Sequence, residues 1–241
     1  MDSELAELRL LHLADSALPI GGLAHSFGLE TLVAANLVGV RELPEFFATW
    51  LQEAGCLEAV FCRAGFRLRD RNDAEFRAEW LRLNEALSAR KPGRESRNAS
   101  ASLGRNFLNA ISGVGRVGDE EGADTDPTRV RLAIEVSRNA RGLMHHSVAF
   151  GLAGGVLGFS EERVALAFLH SCMAAMVSAC QRLLPLGQHA ATRLLWDLKP
   201  AIVSAVHRSA ECGVDDVASF MAMLDWGAME HPGLETRLFI S

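Results

Sequence analysis

Almost no stretch of the chain alternates apolar and polar residues over the length of a strand, which argues against a β-rich fold. Positive charge is not in excess either. Lys and Arg number 24 against 30 Asp and Glu, a formal net charge of −6. Nucleic acid and anionic membrane both reward concentrated positive charge, so neither is expected as the main partner. Cysteine is scarce: Cys56, Cys62, Cys172, Cys180 and Cys212 are odd in number, and no two form a C-x-x-C pair. A disulfide framework is not expected, and reduced thiols in a cytoplasmic protein are the simplest reading. The opening residues Asp2, Glu4 and Glu7 lack the basic start of a secretory signal. Also missing are a G-x-x-x-x-G-K-[ST] phosphate loop, an H-E-x-x-H zinc motif and a G-x-S-x-G nucleophile elbow. Nucleotide binding by this chain is therefore not expected, nor is enzymatic chemistry by those routes.

What the sequence does have is apolar content and helical period. Hydrophobic residues make up 49 %, ample for a sizeable core. Leu5, Leu8 and Leu11, extended by Leu13, form a stripe that stops before Pro19, and Leu18-Pro19-Ile20-Gly21-Gly22 reads as a turn. A second helix is predicted to start near Leu23 or Ala24, and residues 43–69 read as one long helix or two. Residues 73–90 and 96–112 follow as helices, with Phe76, Leu83 and Leu87 on one face of the first. Residues 113–127 read as a loop, with an acidic cluster at Asp119, Glu120 and Glu121, and Asp126-Pro127 as the start of the next helix. Two uncharged stretches, 142–160 and 164–181, are long enough to raise a membrane span. Their histidines, serines and glycines favour buried core helices instead. Ser160-Glu161-Glu162 should open the second of these helices, and Pro185 should end it. Residues 187–206 carry the i, i+3, i+4, i+7 pattern of a buried face, kinked at Lys199-Pro200, and 214–227 reads as a last short helix. The expectation is an all-α protein: one domain spanning 1–241, a bundle of roughly eight to ten helices.

Several polar groups stand out against this background. His25 follows the glycine turn, His145 and His146 are adjacent, and His170, Cys172 and Cys180 share one helix. Imidazole and thiolate can hold a transition metal, yet a partly buried, hydrogen-bonded histidine is commoner than a metal ligand. Arg182, Pro185, Gly187 and Gln188 form an abrupt junction whose polar members a plain turn does not require. The last residues, Arg237-Leu238-Phe239-Ile240-Ser241, are apolar where chain ends are ordinarily polar.

The run from Leu13 to Glu30, with its L-P-x-G-G turn and closing G-L-E, resembles the opening signature of the urease accessory protein family UreF. Residues 83–87, 95–97 and 102–105 resemble its central segment. His146-Ser147-Val148-Ala149-Phe150-Gly151-Leu152, the stretch 177–188 and the R-L-F-x-S ending match further blocks in family order. Departures are local: Leu23, His25 and Phe27 stand where many bacterial relatives carry Phe, Tyr and Gln, and the chain has no tyrosine. The resemblance implies a homodimeric helical scaffold, without a cofactor or metal ligands of its own. It would bind the accessory protein UreD (also called UreH), recruit the nickel-carrying GTPase UreG and act on apo-urease. On that reading Gly21, Gly22, His25, Ser26, Glu30, Arg182, Pro185, Gly187, Gln188, Arg237, Leu238 and Phe239 serve partner contact, with Glu30 as the leading polar position. Two alternatives remain at this point: a metallochaperone holding nickel directly through His and Cys, and an all-α enzyme of another chemistry.

Overall fold

The computed structural model describes residues 3–114 and 128–241. The chain opens with α1 (Ser3–Leu13) and α2 (Leu29–Ala34), then α3 (Leu43–Trp50) and α4 (Cys56–Arg67), which a π turn at Leu51–Gly55 joins without a loop. Next come α5 (Asp73–Ala89), α6 (Arg94–Val114), α7 (Thr128–Ala140) and α8 (His146–Val156). The long α9 (Glu161–Leu183) precedes α10 (Gln188–Asp197), α11 (Lys199–Glu211) and α12 (Ala222–Glu230). Among the described residues there is no strand, and taking α3–α4 and α10–α11 each as one bent helix leaves ten. The protein is all-α.

Local chemistry sets many of the boundaries. Asn72 caps α5, its side chain accepting the Glu75 amide at 3.0 Å, with Asp73 and Glu75 in the first turn. Pro200 lies in the first turn of α11, where its missing amide costs nothing, and the predicted kink falls at Leu198. Pro185 follows the end of α9, as the sequence reading has it.

The centre of the molecule is α8. Every residue from Ser147 to Val156 is buried, enclosed by α4, α6, α7 and α9. Such close enclosure requires bare backbone. A Cβ on Gly151 would lie 1.8 Å from the Cys62 carbonyl oxygen, and one on Gly65 would lie 2.2 Å from that of Val148. The α4–α8 contact is thus glycine against main chain on both helices. His146 heads α8 inside an aromatic nest of Phe107, Phe150 and Phe168, with ring centroids 5.4–6.0 Å away. Of the two stretches that raised a membrane span, α9 is long and apolar enough by length and composition to cross one, and half of that window packs inside this molecule.

Four sequence expectations need correction. Residues 22–24 form a single 3-10 turn, and the second helix starts at Leu29. Residues 214–221 are not helical: Arg90 donates to the carbonyls of Val214 at 2.9 Å and Val217 at 3.2 Å, taking acceptors a helix would use internally. The last α-helix begins only at Ala222. Of the expected stripe only Leu13 is buried; Leu5, Leu8 and Leu11 face outward, because α1 packs on α9 through the row Ala6, Leu10, Leu13. Finally, α6 runs on to Val114, so Gly113 is helical, while the acidic cluster and Asp126-Pro127 lie outside the described residues.

Candidate functional site

The turn after α1 is fixed from below. Asn106 of α6 donates to the Ile20 carbonyl at 2.9 Å, and Leu18 and Ile20 are buried. Beyond the 3-10 turn the backbone enters the left-handed region twice, at Phe27 (φ 54°) and Gly28 (φ 92°). Gly28 meets both conditions that favour glycine: a Cβ there would sit 2.7 Å from the Leu224 oxygen and 2.9 Å from the Ala228 nitrogen. The start of α2 is therefore pressed directly onto α12.

That approach carries Glu30, in the first turn of α2, into the interior beside the last residues of the chain. Its carboxylate accepts the amides of Leu238 at 2.6 Å and Phe239 at 3.2 Å. Nε2 of the fully enclosed His231 lies 2.8 Å from the same carboxylate, and Nδ1 lies 2.7 Å from Glu95 Oε2. Both ring nitrogens thus face carboxylate oxygens, an arrangement an imidazolium satisfies on both sides. Arg237 adds a longer ion pair to Glu95 at 3.6 Å.

The rest of the tail is tied to residues 24–27. Ile240 donates its amide to the Ala24 carbonyl at 2.8 Å. The Ser241 carbonyl accepts the amides of Ser26 at 2.5 Å and Phe27 at 3.2 Å, together with the Ser26 hydroxyl at 3.1 Å. His25 Nδ1 and the Ser241 hydroxyl lie 2.7 Å apart; burial lowers the pKa of this imidazole, with Glu95 opposing. Arg182, in the last turn of α9, donates to the Leu23 and Leu238 carbonyls at 2.9 and 3.3 Å. Its guanidinium also covers the Phe239 ring, 4.2 Å from the centroid.

The structure therefore gathers Gly21, Gly22, His25, Ser26, Glu30, Arg182, Arg237, Leu238 and Phe239 into one locus. It leaves Pro185, Gly187 and Gln188 apart, exposed at the α9–α10 junction, with no described bond to that locus. Four residues expected at a contact surface point inward: His25, Ser26, Glu30 and Phe239 are all buried. Within the tail, exposure alternates from residue to residue. Phe239 is 4 % exposed, whereas Leu238 and Ile240 are 61 % and 68 % exposed. Two members of the locus escaped sequence reasoning, His231 and Glu95. No spacing rule joins His231 to Glu30, 201 residues away, or to Glu95, 136 residues away.

A second polar cluster is largely buried. Glu58 and Lys91 form an ion pair, and His145 bonds to Ser88 at 2.7 Å and Ser100 at 3.0 Å. Burial pushes both His145 and His146 down to about 4, and His146 Nε2 has no hydrogen-bond partner. Burial alone would raise the Glu58 carboxyl, but Lys91 beside it holds it below the usual range. Burial raises the thiols of Cys62, Cys172 and Cys180, the last to about 12. Among the described residues no three His, Cys, Asp or Glu side chains form a group that could hold a metal ion.

With this geometry in hand, comparison with known proteins gives a consistent answer. The sequence profile of the UreF family matches residues 38–199. The chain is 31 % identical over 236 residues to the urease accessory protein UreF of Corynebacterium glutamicum (strain R), covering 98 % of each. It is 32 % identical over 244 residues to that of Bradyrhizobium sp. (strain ORS 278), covering 99 % of this chain and 94 % of the relative. The UreF of Thermosynechococcus vestitus is 30 % identical over 244 residues, with both chains covered in full.

Proposed function

The chain belongs to the UreF family of urease accessory proteins, and from that premise we propose that it is a non-catalytic scaffold for nickel insertion into apo-urease. Membership ties it to urease maturation. In the proposed role it acts in the cytoplasm as a single-domain homodimer, binds a UreD (UreH)-type protein and recruits a UreG-type GTPase. Nucleotide chemistry is left to that GTPase.

The observation that carries this reading is the two-sided tail. Phe239 and the main chain are anchored inward by Glu30, Arg182 and residues 24–27, so Leu238 and Ile240 are held outward on a fixed backbone. Preorganised apolar side chains lower the entropy lost when a partner docks. Leu238, Ile240, Arg237 and the Gly21-Gly22 turn would form the contact for the UreD-type partner. His25, Ser26, Glu30, Arg182 and Phe239 would shape it from beneath, and the separate junction Pro185, Gly187, Gln188 would serve the GTPase.

The test is co-purification of the tagged chain with its neighbouring accessory proteins. Leu238→Ser with Ile240→Ser should leave the melting temperature unchanged and abolish capture of the UreD-type protein. Gln188→Ala should spare that capture and weaken GTPase recruitment. Undiminished capture by the double variant would overturn the tail assignment.

A further inference from the structure

Helix α12 is apolar on both sides. Leu224, Gly227 and Ala228 are buried, and a Cβ on Gly227 would lie 2.7 Å from the Gly28 carbonyl oxygen, so this side is sealed against α2. Met223, Trp226 and Met229 follow one another at i, i+3 and i+6 on the opposite side, 48 %, 40 % and 52 % exposed. Phe220, just before the helix, is 81 % exposed. The other methionines among the described residues, Met144, Met173, Met176 and Met221, are all buried. The approach to the row is also held still. Glu53 of the π turn accepts the Phe220 amide at 3.0 Å, and Arg90 holds the carbonyls of Val214 and Val217 ahead of it. Side chains on a fixed backbone lose little freedom when a partner docks.

Charge decides what can cover this face. Residues 209–236 contain Glu211, Asp215, Asp216, Asp225, Glu230 and Glu235, and not one Lys or Arg. Among the described residues, Asp215 alone of these acids has an ion pair, to Arg82 at 3.2 Å. Nearby cations are engaged elsewhere: Lys91 pairs with Glu58, and Arg97 donates to the Lys91 and Pro92 carbonyls. Arg94, exposed at the start of α6, is the exception. Two copies meeting through this face would set acid against acid, and an anionic bilayer would be repelled in the same way.

We propose that the outer face of α12 docks a basic amphipathic helix of a partner protein. The exposed row is an i±3 ridge, which packs into the groove between side-chain rows of a second helix. Apolar residues of that helix cover Trp226 and the two methionines, whose unbranched side chains adapt to varied shapes. Lys and Arg beside its apolar stripe meet the carboxylates of the acidic segment. Trp226, in the middle of the row, is the anchor, tryptophan being enriched among the residues that dominate interfaces. The contact calls on residues other than those of the tail.

The experiment uses the full-length protein and a fluorescein-labelled peptide of Leu and Lys, patterned as an amphipathic helix about five turns long, read by fluorescence anisotropy. A second peptide carries Glu in place of every Lys. The Lys peptide should bind and the Glu peptide should not, and binding should weaken as salt is raised. Trp226→Ala should weaken it by about tenfold or more. Met223→Ser with Met229→Ser should weaken it too, as should Asp216→Lys with Glu230→Lys, all with an unchanged melting temperature. Should Trp226→Ala lower the melt, the exposed methionine pair carries the test. Binding undiminished by the methionine pair would be mere adhesion to an acidic surface and would overturn the proposal. So would sedimentation showing that the same substitutions turn a dimer into a monomer, because the occupant would then be a second copy.

Discussion

Glu30 and His231 stand 201 residues apart and meet at 2.8 Å, with the imidazole fully enclosed and the carboxylate nearly so. The same carboxylate holds the amides of Leu238 and Phe239. One buried acid thus fixes both the approach to the tail and the tail itself, with Glu95 completing the chain of bonds through His231.

Glu30→Gln preserves shape but places an amide where a charged acceptor served three donors. A hydrogen bond to a charged group contributes about 1.5–3 kcal/mol. The variant should lose stability of that order, and trypsin should cut after Arg237 faster than in the parent. A tail no more sensitive to protease would show that Glu30 is not its anchor.

Phe239→Ala should destabilise the protein, because the ring is buried under Arg182 rather than offered to a partner. Emptying such a site costs about 3–5 kcal/mol. Arg182→Lys should be damaging too, since an ammonium cannot bridge the Leu23 and Leu238 carbonyls while stacking on the ring. Chemical denaturation checks both. A melt unchanged in Phe239→Ala would mean that the tail contributes nothing to the core.

Acid should weaken the fold from pH 6.5 downward. Unfolded, His145 and His146 take up protons as pH falls through 6.5; folded, neither does until about 4. The unfolded state therefore binds more protons across that window, and stability falls with pH by on the order of 3 kcal/mol per histidine. His146→Phe keeps the aromatic nest and removes one titrating ring. It should lower the slope of unfolding free energy between pH 6.5 and 4. An unaltered slope would assign the acid sensitivity elsewhere.

Gly151→Ala adds one methyl group against the Cys62 main chain, at a separation of 1.8 Å that no real contact tolerates. Main chain cannot swing aside as a side chain can. The expected loss is about 3 kcal/mol or more, at or above the upper end for overpacked cores. Gly187→Ala, with open space around it, should be silent by the same thermal melt.

Legibility followed the range of each interaction. The buried α8, the break at Pro200 and the end of α9 could be read from periodicity, capping and proline placement, all of which act within a few residues. The face of α1 could not be read that way: it carries two leucine-bearing rows, and only the presence of α9 selects Leu10 and Leu13 over Leu8 and Leu11. Residues 214–221 looked helical until Arg90, from a distant helix, claimed their carbonyls. The candidate locus was legible by its parts, since residues 21–30, Arg182 and the tail each stood out. Its internal wiring through His231 and Glu95 was not. Reading the tail as one apolar block also hid the alternation that separates Phe239 from Leu238 and Ile240.

The glycine-lined seat of α8 bears on how the chain can be divided. Helices α4 and α6 belong to residues before Val114, and α8 belongs to residues after Thr128. A chain severed between those points would leave one fragment with an open furrow of bare backbone. The other would carry a helix apolar on every side, with no wet face to show. Neither fragment should be soluble by itself, and the two should recover a native assembly only when they are made together.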